Sequence, residues 1–392
     1  MTQIEEILGN LISIKTDNKF LSNKNCVDYI CSFLQQHNIL HKRLLSADGI
    51  KENIIAGINI QSFKNINSGI ALSGHMDTVG VNIKDWDTNP FQSTNINGAI
   101  YGRGTVDMKY FIAIILSMLS ELKKTNIPIF LLFSCDEETD VSGIRTITKF
   151  MEMRNIHPKF ALVGEPTNFA ICTSSKGYVG YTTTIKGLSA HSSCPELGVN
   201  AAYIAAKVID KIEELSGLYS SKGTTLNVGL VGGGEGRNLI PSEVAIDWEI
   251  RYSQDSHKEE ILREINKLHK ELSAIYKDSY FCIENKEYLP SFEQNSDSQL
   301  VKIGQNILKT SLTSLPHATE AGFLKDIGIE TIICGAGDER LAHTSSEHIL
   351  LSDLVKYKEF LLRMIQEIPN IASDFILFEE NQKKDALVSI KK

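Results

Sequence analysis

Five clusters of polar residues stand where short apolar runs end, and their residue types are those that bind metal ions or move protons. The first is Ser73-Gly74-His75-Met76-Asp77-Thr78-Val79, which follows Ile70, Ala71 and Leu72. In extended backbone, residues i and i+2 share a face. His75 and Asp77 therefore project side by side from a strand end. A histidine beside a carboxylate suits a metal ligand with an orienting partner, although two polar residues in a surface loop would look the same. The second cluster contains Asp107, just before an apolar helix, where an N-cap is the ordinary explanation. The third is Asp136-Glu137-Glu138, after the apolar run 128–134. Three consecutive acids repel unless a cation or solvent intervenes. The fourth holds Glu165, after 160–163, and the fifth His343 and Glu347, after Gly335-Ala336-Gly337.

Taken together, the clusters put His, Asp, Glu, Glu and His at the ends of elements of one sheet, where open α/β sheets bind ligands. Five N/O donors without a thiolate suit a pair of zinc ions, or cobalt or manganese. Two adjacent acids can divide the work: one faces the metal, and the other acts as a base on water.

The elements that must position these residues can be read from periodicity. Helical spacing of apolar residues covers 4–14 and 27–34, and strands are predicted at 54–60 and 69–73. A polar loop spans 82–99, an apolar helix 110–122, a buried strand 128–134, a helix 142–151 and a strand 160–163. Strands alternating with helices predict a largely parallel sheet covered on both faces. The pattern then changes. Strands at 178–186, 225–231, 244–250 and 279–285 and helices at 199–215 and about 261–272 follow the order βαββαβ, a ferredoxin-like arrangement. Mixed α/β order resumes with helices at 298–308 and 320–326, a strand at 330–334 and a helix at 351–368. The predicted organisation is α/β: a catalytic domain (1–173 and 289–392) with a mixed, mostly parallel sheet between helices, and an inserted α+β domain (174–288). A charged, frayed tail is expected from Glu379. Val231 to Gly236 is glycine-rich but lacks the order of a phosphate loop.

The 392 residues carry a formal net charge of −8, which argues against nucleic acid or an anionic membrane as a partner. No apolar run approaches the ~20 residues that span a bilayer. The 7 cysteines are scattered, with no CxxC pair, so neither a disulfide framework nor a cysteine zinc site is expected. The N-terminus shows no signal-peptide pattern, and a reduced, cytoplasmic protein is the expectation.

The motifs Ser-Gly-His-Met-Asp-Thr-Val (73–79), Tyr-Gly-Arg-Gly-Thr-Val-Asp-Met-Lys (101–109), Asp-Glu-Glu-Thr (136–139), Gly-Glu-Pro-Thr (164–167) and Ala-His (342–343) with Glu347 resemble one family. It is that of the co-catalytic zinc amidohydrolases and peptidases, which includes acetylornithine deacetylase, succinyl-diaminopimelate desuccinylase, aminoacylase and carboxypeptidase G. Trp-Asp-Thr-Asn-Pro-Phe (86–91) and the stretch 187–199 look most like the acetylornithine deacetylase branch. The resemblance implies a zinc-peptidase-like catalytic domain and an inserted lid and dimerisation domain. It implies two zinc ions per chain, with cobalt or manganese as substitutes. His75, Asp107 and Glu165 would hold one ion, and Asp107, Glu138 and His343 the other. Asp77 would hydrogen-bond His75, and Glu137 would be the general base. A cis peptide would follow Asp107. His191 would reach the active site of a partner subunit in a homodimer. Asn238 and Arg251 would hold substrate oxygens, and Glu320 a substrate ammonium group. The substrate would be a small N-acyl amino acid, with acetylornithine, succinyl or dipeptide substrates as the options. Departures from the family pattern are Met76 for threonine, Tyr110 for glycine, Ala336 for proline, and Thr344-Ser345-Ser346. Tyr110, a bulky side chain beside the bridging aspartate, could narrow the site or shift its substrate; complete blockage would leave a non-catalytic relative used for binding.

Overall fold

A computed structural model describes residues 2–17, 22–47 and 49–368. The tail from Glu379 lies outside the described residues. The chain forms two units. The first takes in residues up to Thr173, Gln294–Ser314 and the chain from Phe323, and the second takes in Ser174–Glu293 and Leu315–Gly322.

The first unit opens with helices α1 (Gln3–Ser13) and α2 (Lys24–Gln36). Thr2 and Glu5 close a capping box at the start of α1, each satisfying a backbone donor of the other. Strands β1 (Leu40–Leu45), β2 (Glu52–Ile58) and β3 (Ile70–His75) follow, then the short β4 (Thr94–Ile96) and β5 (Ala99–Tyr101). Next come α3 (Lys109–Ser117), α4 (Leu119–Leu122), β6 (Ile129–Ser134), α5 (Ser142–Met153), β7 (Phe160–Val163) and β8 (Ile171–Ser175).

The second unit contains β9 (Gly177–Lys186), α6 (Ala201–Ser220), β10 (Thr225–Gly233), β11 (Glu243–Tyr252), α7 (Asp255–Ile275), β12 (Tyr280–Leu289) and β13 (Phe292–Glu293). Its four long strands pair in the order β10-β11-β9-β12, all antiparallel. This is the ferredoxin-like arrangement of a βαββαβ chain. Alternate residues Val244, Ile246, Trp248 and Ile250 of β11 are buried with Ile204, Val208 and Ile212 of α6 and Ile261, Ile265 and Leu272 of α7. The unit ends later than the expected 288, because Phe292 and Glu293 pair with Ser175 and Ser174. It also takes in 315–322, which the sequence reading gave to the catalytic domain. Gly322 lies so close to Pro290 that an added Cβ would meet the Pro290 carbonyl at 2.5 Å.

The chain returns to the first unit with α8 (Gln299–Leu308) and β14 (Leu312–Leu315), passes α9 (Ala321–Asp326), and adds β15 (Glu330–Ile333) and β16 (His348–Leu350). A helix over 351–368, α10, follows. The main sheet runs β1-β2-β6-β3-β7-β15-β8. Its centre, β6, β3, β7 and β15, is parallel, and its flanks are antiparallel. Ile129, Leu131 and Phe133 share a core with α1, α2, α3 and α10. Phe130 and Leu132 are equally buried on the opposite face of β6. A strand buried on both faces has no alternation to show, which is why β6 reads as a continuous apolar run. All nine residues of α3 are buried, Lys109 included. Its Nζ donates to the carbonyls of Leu11 and Ile14 at 3.0 and 2.9 Å, satisfying acceptors left over at the end of α1. β1 escaped the sequence reading because it is a largely exposed edge strand, Leu-His-Lys-Arg-Leu-Leu, with no clean apolar period. β4 and β5 form a short hairpin at the end of the predicted polar loop, with β16 completing a three-stranded sheet.

Candidate metal centre

The parallel register decides where the polar clusters meet. His75 is the last residue of β3 and lies opposite Ser134, the last of β6. β7 and β15 run the same way beside them. Glu137 and Glu138, Glu165 and the turn Gly335–Gly337 therefore all leave one edge of the sheet.

At that edge Asp107 lies between two imidazoles. Its Oδ1 is 3.0 Å from His75 Nε2, and its Oδ2 is 3.1 Å from His343 Nε2. Glu165 Oε1 and Glu137 Oε2 approach His75 Nε2 at 3.8 and 4.0 Å. Glu138 lies 3.1 Å from His343 Nε2. Two three-residue groups result, His75–Asp107–Glu165 and Asp107–Glu138–His343, and each brings one ligand atom per residue within 4.8 Å of the others. Asp107 belongs to both. The Asp107–Met108 peptide is cis.

The electrostatics fit cations at this position. Burial disfavours charge on Asp107, but His343 and His75 hold its carboxyl well below the usual range. Burial and the neighbouring Glu165 push Glu137 well up, and burial and Asp107 raise Glu138. Bonds to Asp107 and Glu138 raise His343 to about 10. His75 is raised against the effect of burial by Asp107, Glu137 and Glu165. Protons thus supply the positive charge that these acids need. Divalent ions can replace them, since imidazole and carboxylate ligands give up protons on binding metal. The donor set, two imidazoles and three carboxylates around one shared aspartate, fits a two-metal site.

The comparisons agree with this chemistry. The model of peptidase family M20/M25/M40 matches residues 71–367. The chain belongs to this family. It is a hydrolytic enzyme of the metallopeptidase and amidohydrolase class. The acetylornithine deacetylase of Buchnera aphidicola subsp. Acyrthosiphon pisum (strain APS) is 30% identical over 378 residues, covering 92% of this chain and 97% of that protein. The acetylornithine deacetylase of Aliivibrio fischeri (strain ATCC 700601 / ES114) is 30% identical over 295 residues, 72% of this chain and 77% of that protein. Among solved structures, a tripeptidase from Staphylococcus aureus superposes with a TM-score of 0.76 at 20% identity, covering 93% of this chain and 98% of that one. A dinuclear metal-binding peptidase of the M20 family from Bacillus subtilis gives 0.65 at 15% identity, covering 92% and 97%.

Within this family member, residues outside the two groups hold the site in place. Asp77 differs from its expected role. Its carboxylate is 3.7 Å from His75 Nδ1, while that nitrogen bonds at 3.0 Å to the carbonyl oxygen of Asp77. The carboxylate instead accepts the amides of Glu137 and Glu138 at 3.2 and 3.0 Å. Two extended residues do share a face, but the amides of the neighbouring strand exit are closer than the imidazole. Asn53 accepts the amide of Cys135 at 2.9 Å, and Asp136, at φ +60°, pairs with Lys51. Asp136 thus has a counter-charge of its own, while Glu137 and Glu138 both face the Asp107 site. Glu347 is fully buried and accepts from Arg103 Nη1 at 2.6 Å and from the amides of Gly104, Val106 and Asp107. Asp107 does not cap α3, whose N-cap is Met108, without a side-chain bond. Met76 is buried in the core and Tyr110 is turned into it, so neither narrows the site. Lys51, Asn53 and Arg103 were missed as supports. A buried polar residue near a strand end is the signal that could have found them, and burial is not visible in sequence.

His191, Asn238, Arg251 and Glu320 belong to the second unit. His191 pairs with Leu239, and the amide of Ser192 donates to the carbonyl of Asn238 at 3.0 Å, so His191 and Asn238 are neighbours. His191 Nδ1 accepts the Ser193 amide at 3.1 Å, which leaves the proton on Nε2. Arg251 lies at the far end of β11, opposite Tyr178, with its guanidinium bonded to Glu249 at 3.0 Å. At ~3.3 Å per residue, the eight steps from Glu243 to Arg251 span about 26 Å, and the His191–Asn238 pair lies beside the segment that precedes Glu243, where Ile240 N–H donates to the carbonyl of Ala190. Glu320 is fully buried just before α9.

Proposed function

We propose that the enzyme hydrolyses the amide bond of an N-acyl amino acid, N-acetylornithine foremost, to ornithine and acetate, as a step of arginine biosynthesis. The observation that carries this reading is the Asp107 carboxylate spanning His75 and His343 at 3.0 and 3.1 Å, with Glu137 beside it. The choice of substrate is supported by the relatives named acetylornithine deacetylase, matched over most of the chain.

His75, Asp107 and Glu165 would hold one divalent ion and Asp107, Glu138 and His343 the other, zinc best suiting these donors, with cobalt or manganese as substitutes. Bound there, the ions would supply Lewis-acid activation of a water and of the amide carbonyl. Glu137 takes the proton of the attacking water as the new C–O bond forms and the carbonyl oxygen becomes an oxyanion; it then gives that proton to the amine nitrogen, and the C–N bond breaks as the oxyanion collapses to the carboxylate product. Asp77 holds the amide of Glu137 and so fixes the base. Nε2–H of His191 donates to the oxyanion, while Asn238 and Arg251 bind substrate oxygens and Glu320 a substrate ammonium group. A ligand of this size cannot touch both ends of β11. We therefore assign His191 and Asn238 to a second copy in a homodimer formed through the inserted lid unit, and the whole to a cytoplasmic setting. No helix among the described residues is long and apolar enough to cross a membrane.

The test is a substrate panel on zinc-loaded protein: N-acetylornithine, N-succinyl-diaminopimelate, other N-acyl amino acids and dipeptides. Turnover highest for N-acetylornithine is expected. Cleavage of another member with N-acetylornithine untouched would move the assignment to that substrate class.

A further inference from the structure

Tyr110 stands second in α3, three residues after Asp107, and its side chain is fully buried. Its ring packs edge-on against Tyr357, with centroids 5.8 Å apart. Its hydroxyl donates to the carbonyl of Gly164 at 2.7 Å and accepts the amide of Ala336 at 2.9 Å. A buried phenol needs only one partner. This one uses both its donor and an acceptor site, and both partners are backbone groups at strand exits. Gly164 immediately precedes Glu165. Ala336 lies in the turn after β15 from which the His343 segment leaves.

The two exits are already laced together. Thr167 Oγ1 accepts the Gly335 amide at 3.0 Å, and the amides of Phe169 and Asn168 donate to the carbonyls of Gly335 and Gly337 at 2.9 and 2.8 Å. Tyr110 is the member of this lacing that also belongs to α3, the helix that begins two residues after Asp107. The room for it is built in: a Cβ on Gly335 would lie 2.1 Å from the Tyr110 oxygen. The two departures from the family pattern noted in the sequence therefore meet in one hydrogen bond. A proline at 336 would have no N–H, whereas Ala336 brings a buried donor, and the residue at 110 supplies its acceptor.

We propose that Tyr110 is a positioning residue that holds Glu165 in register with Asp107, and thereby sets the affinity of the His75–Asp107–Glu165 group for its ion. This rests on the two-metal reading above. The experiment titrates metal-free protein with cobalt(II) and with zinc, by visible absorption and calorimetry, for the wild type, Tyr110→Phe, and Tyr110→Phe combined with Ala336→Pro. Two ions are expected for the wild type. Tyr110→Phe should bind one of them about 10- to 100-fold more weakly, the range for loss of a supporting partner, with kcat reduced more than KM is changed. Adding Ala336→Pro removes the orphaned donor and should restore Tm without restoring the weakened ion. If the single variant does not fold, the double variant carries the same test. Wild-type affinity for both ions in Tyr110→Phe, or full recovery of affinity along with Tm in the double variant, would overturn the proposal. A wild type that binds no divalent ion would overturn the two-metal reading itself.

Discussion

The buried carboxylate of Glu347 accepts the backbone amide of Asp107 at 3.2 Å. The same oxygen takes the amide of Val106 at 2.8 Å, and the other takes Arg103 Nη1 at 2.6 Å. One acid thus pins the loop that presents Asp107 to both imidazoles. Removing it leaves Arg103 buried without its counter-charge. Glu347→Ala should destabilise the fold by about 3–5 kcal/mol, as for other broken buried pairs, and weaken metal binding. Urea unfolding and metal titration measure the two effects.

Asp77 supports the strand exit after β6 through the amides of Glu137 and Glu138. Asp77→Ala should therefore lower kcat and loosen metal binding by about 10- to 100-fold, while His75→Ala should abolish one site. Equal metal loss in both variants would make Asp77 a ligand.

Glu137 approaches His75 Nε2 at 4.0 Å but belongs to neither ligand group. Glu137→Gln should keep two ions per chain and lose about 10²- to 10⁴-fold in kcat, the range for a general base. Metal content and steady-state rates on the same preparation test this. Retention of the full rate would remove Glu137 from the mechanism.

The second unit carries a pH-sensitive group of its own. His269 of α7 is buried, stacks on Phe281 at 4.7 Å, and burial lowers its pKa to about 4. Its unfolded value is ~6.5, so between these values the unfolded chain binds the extra proton. Stability from this site is complete above the unfolded value and is lost as pH falls toward 4. Denaturant midpoints should drop from pH 7 to pH 5 in the wild type. The drop should be smaller in His269→Phe.

The sequence by itself determined the types of the donors and their places at strand ends. Apolar runs of strand length such as 128–134 are dictated by burial on both faces, and a polar residue directly after such a run has to emerge at a sheet edge. The βαββαβ order was legible for a different reason: β9, β11, α6 and α7 each bury one face and so show a clear period. Which partner each side chain takes was decided only by the tertiary structure. Asp77 is two residues from His75 in sequence, yet its carboxylate serves two amides some sixty residues away, because parallel pairing brings the exit of β6 beside that of β3. Tyr110 looked like an obstruction beside Asp107, but helical geometry turns its ring into the core, where its hydroxyl meets Gly164 and Ala336. Short edge elements such as β1, β4 and β5 were also invisible, since their pairing depends on a neighbouring strand more than on any apolar period of their own.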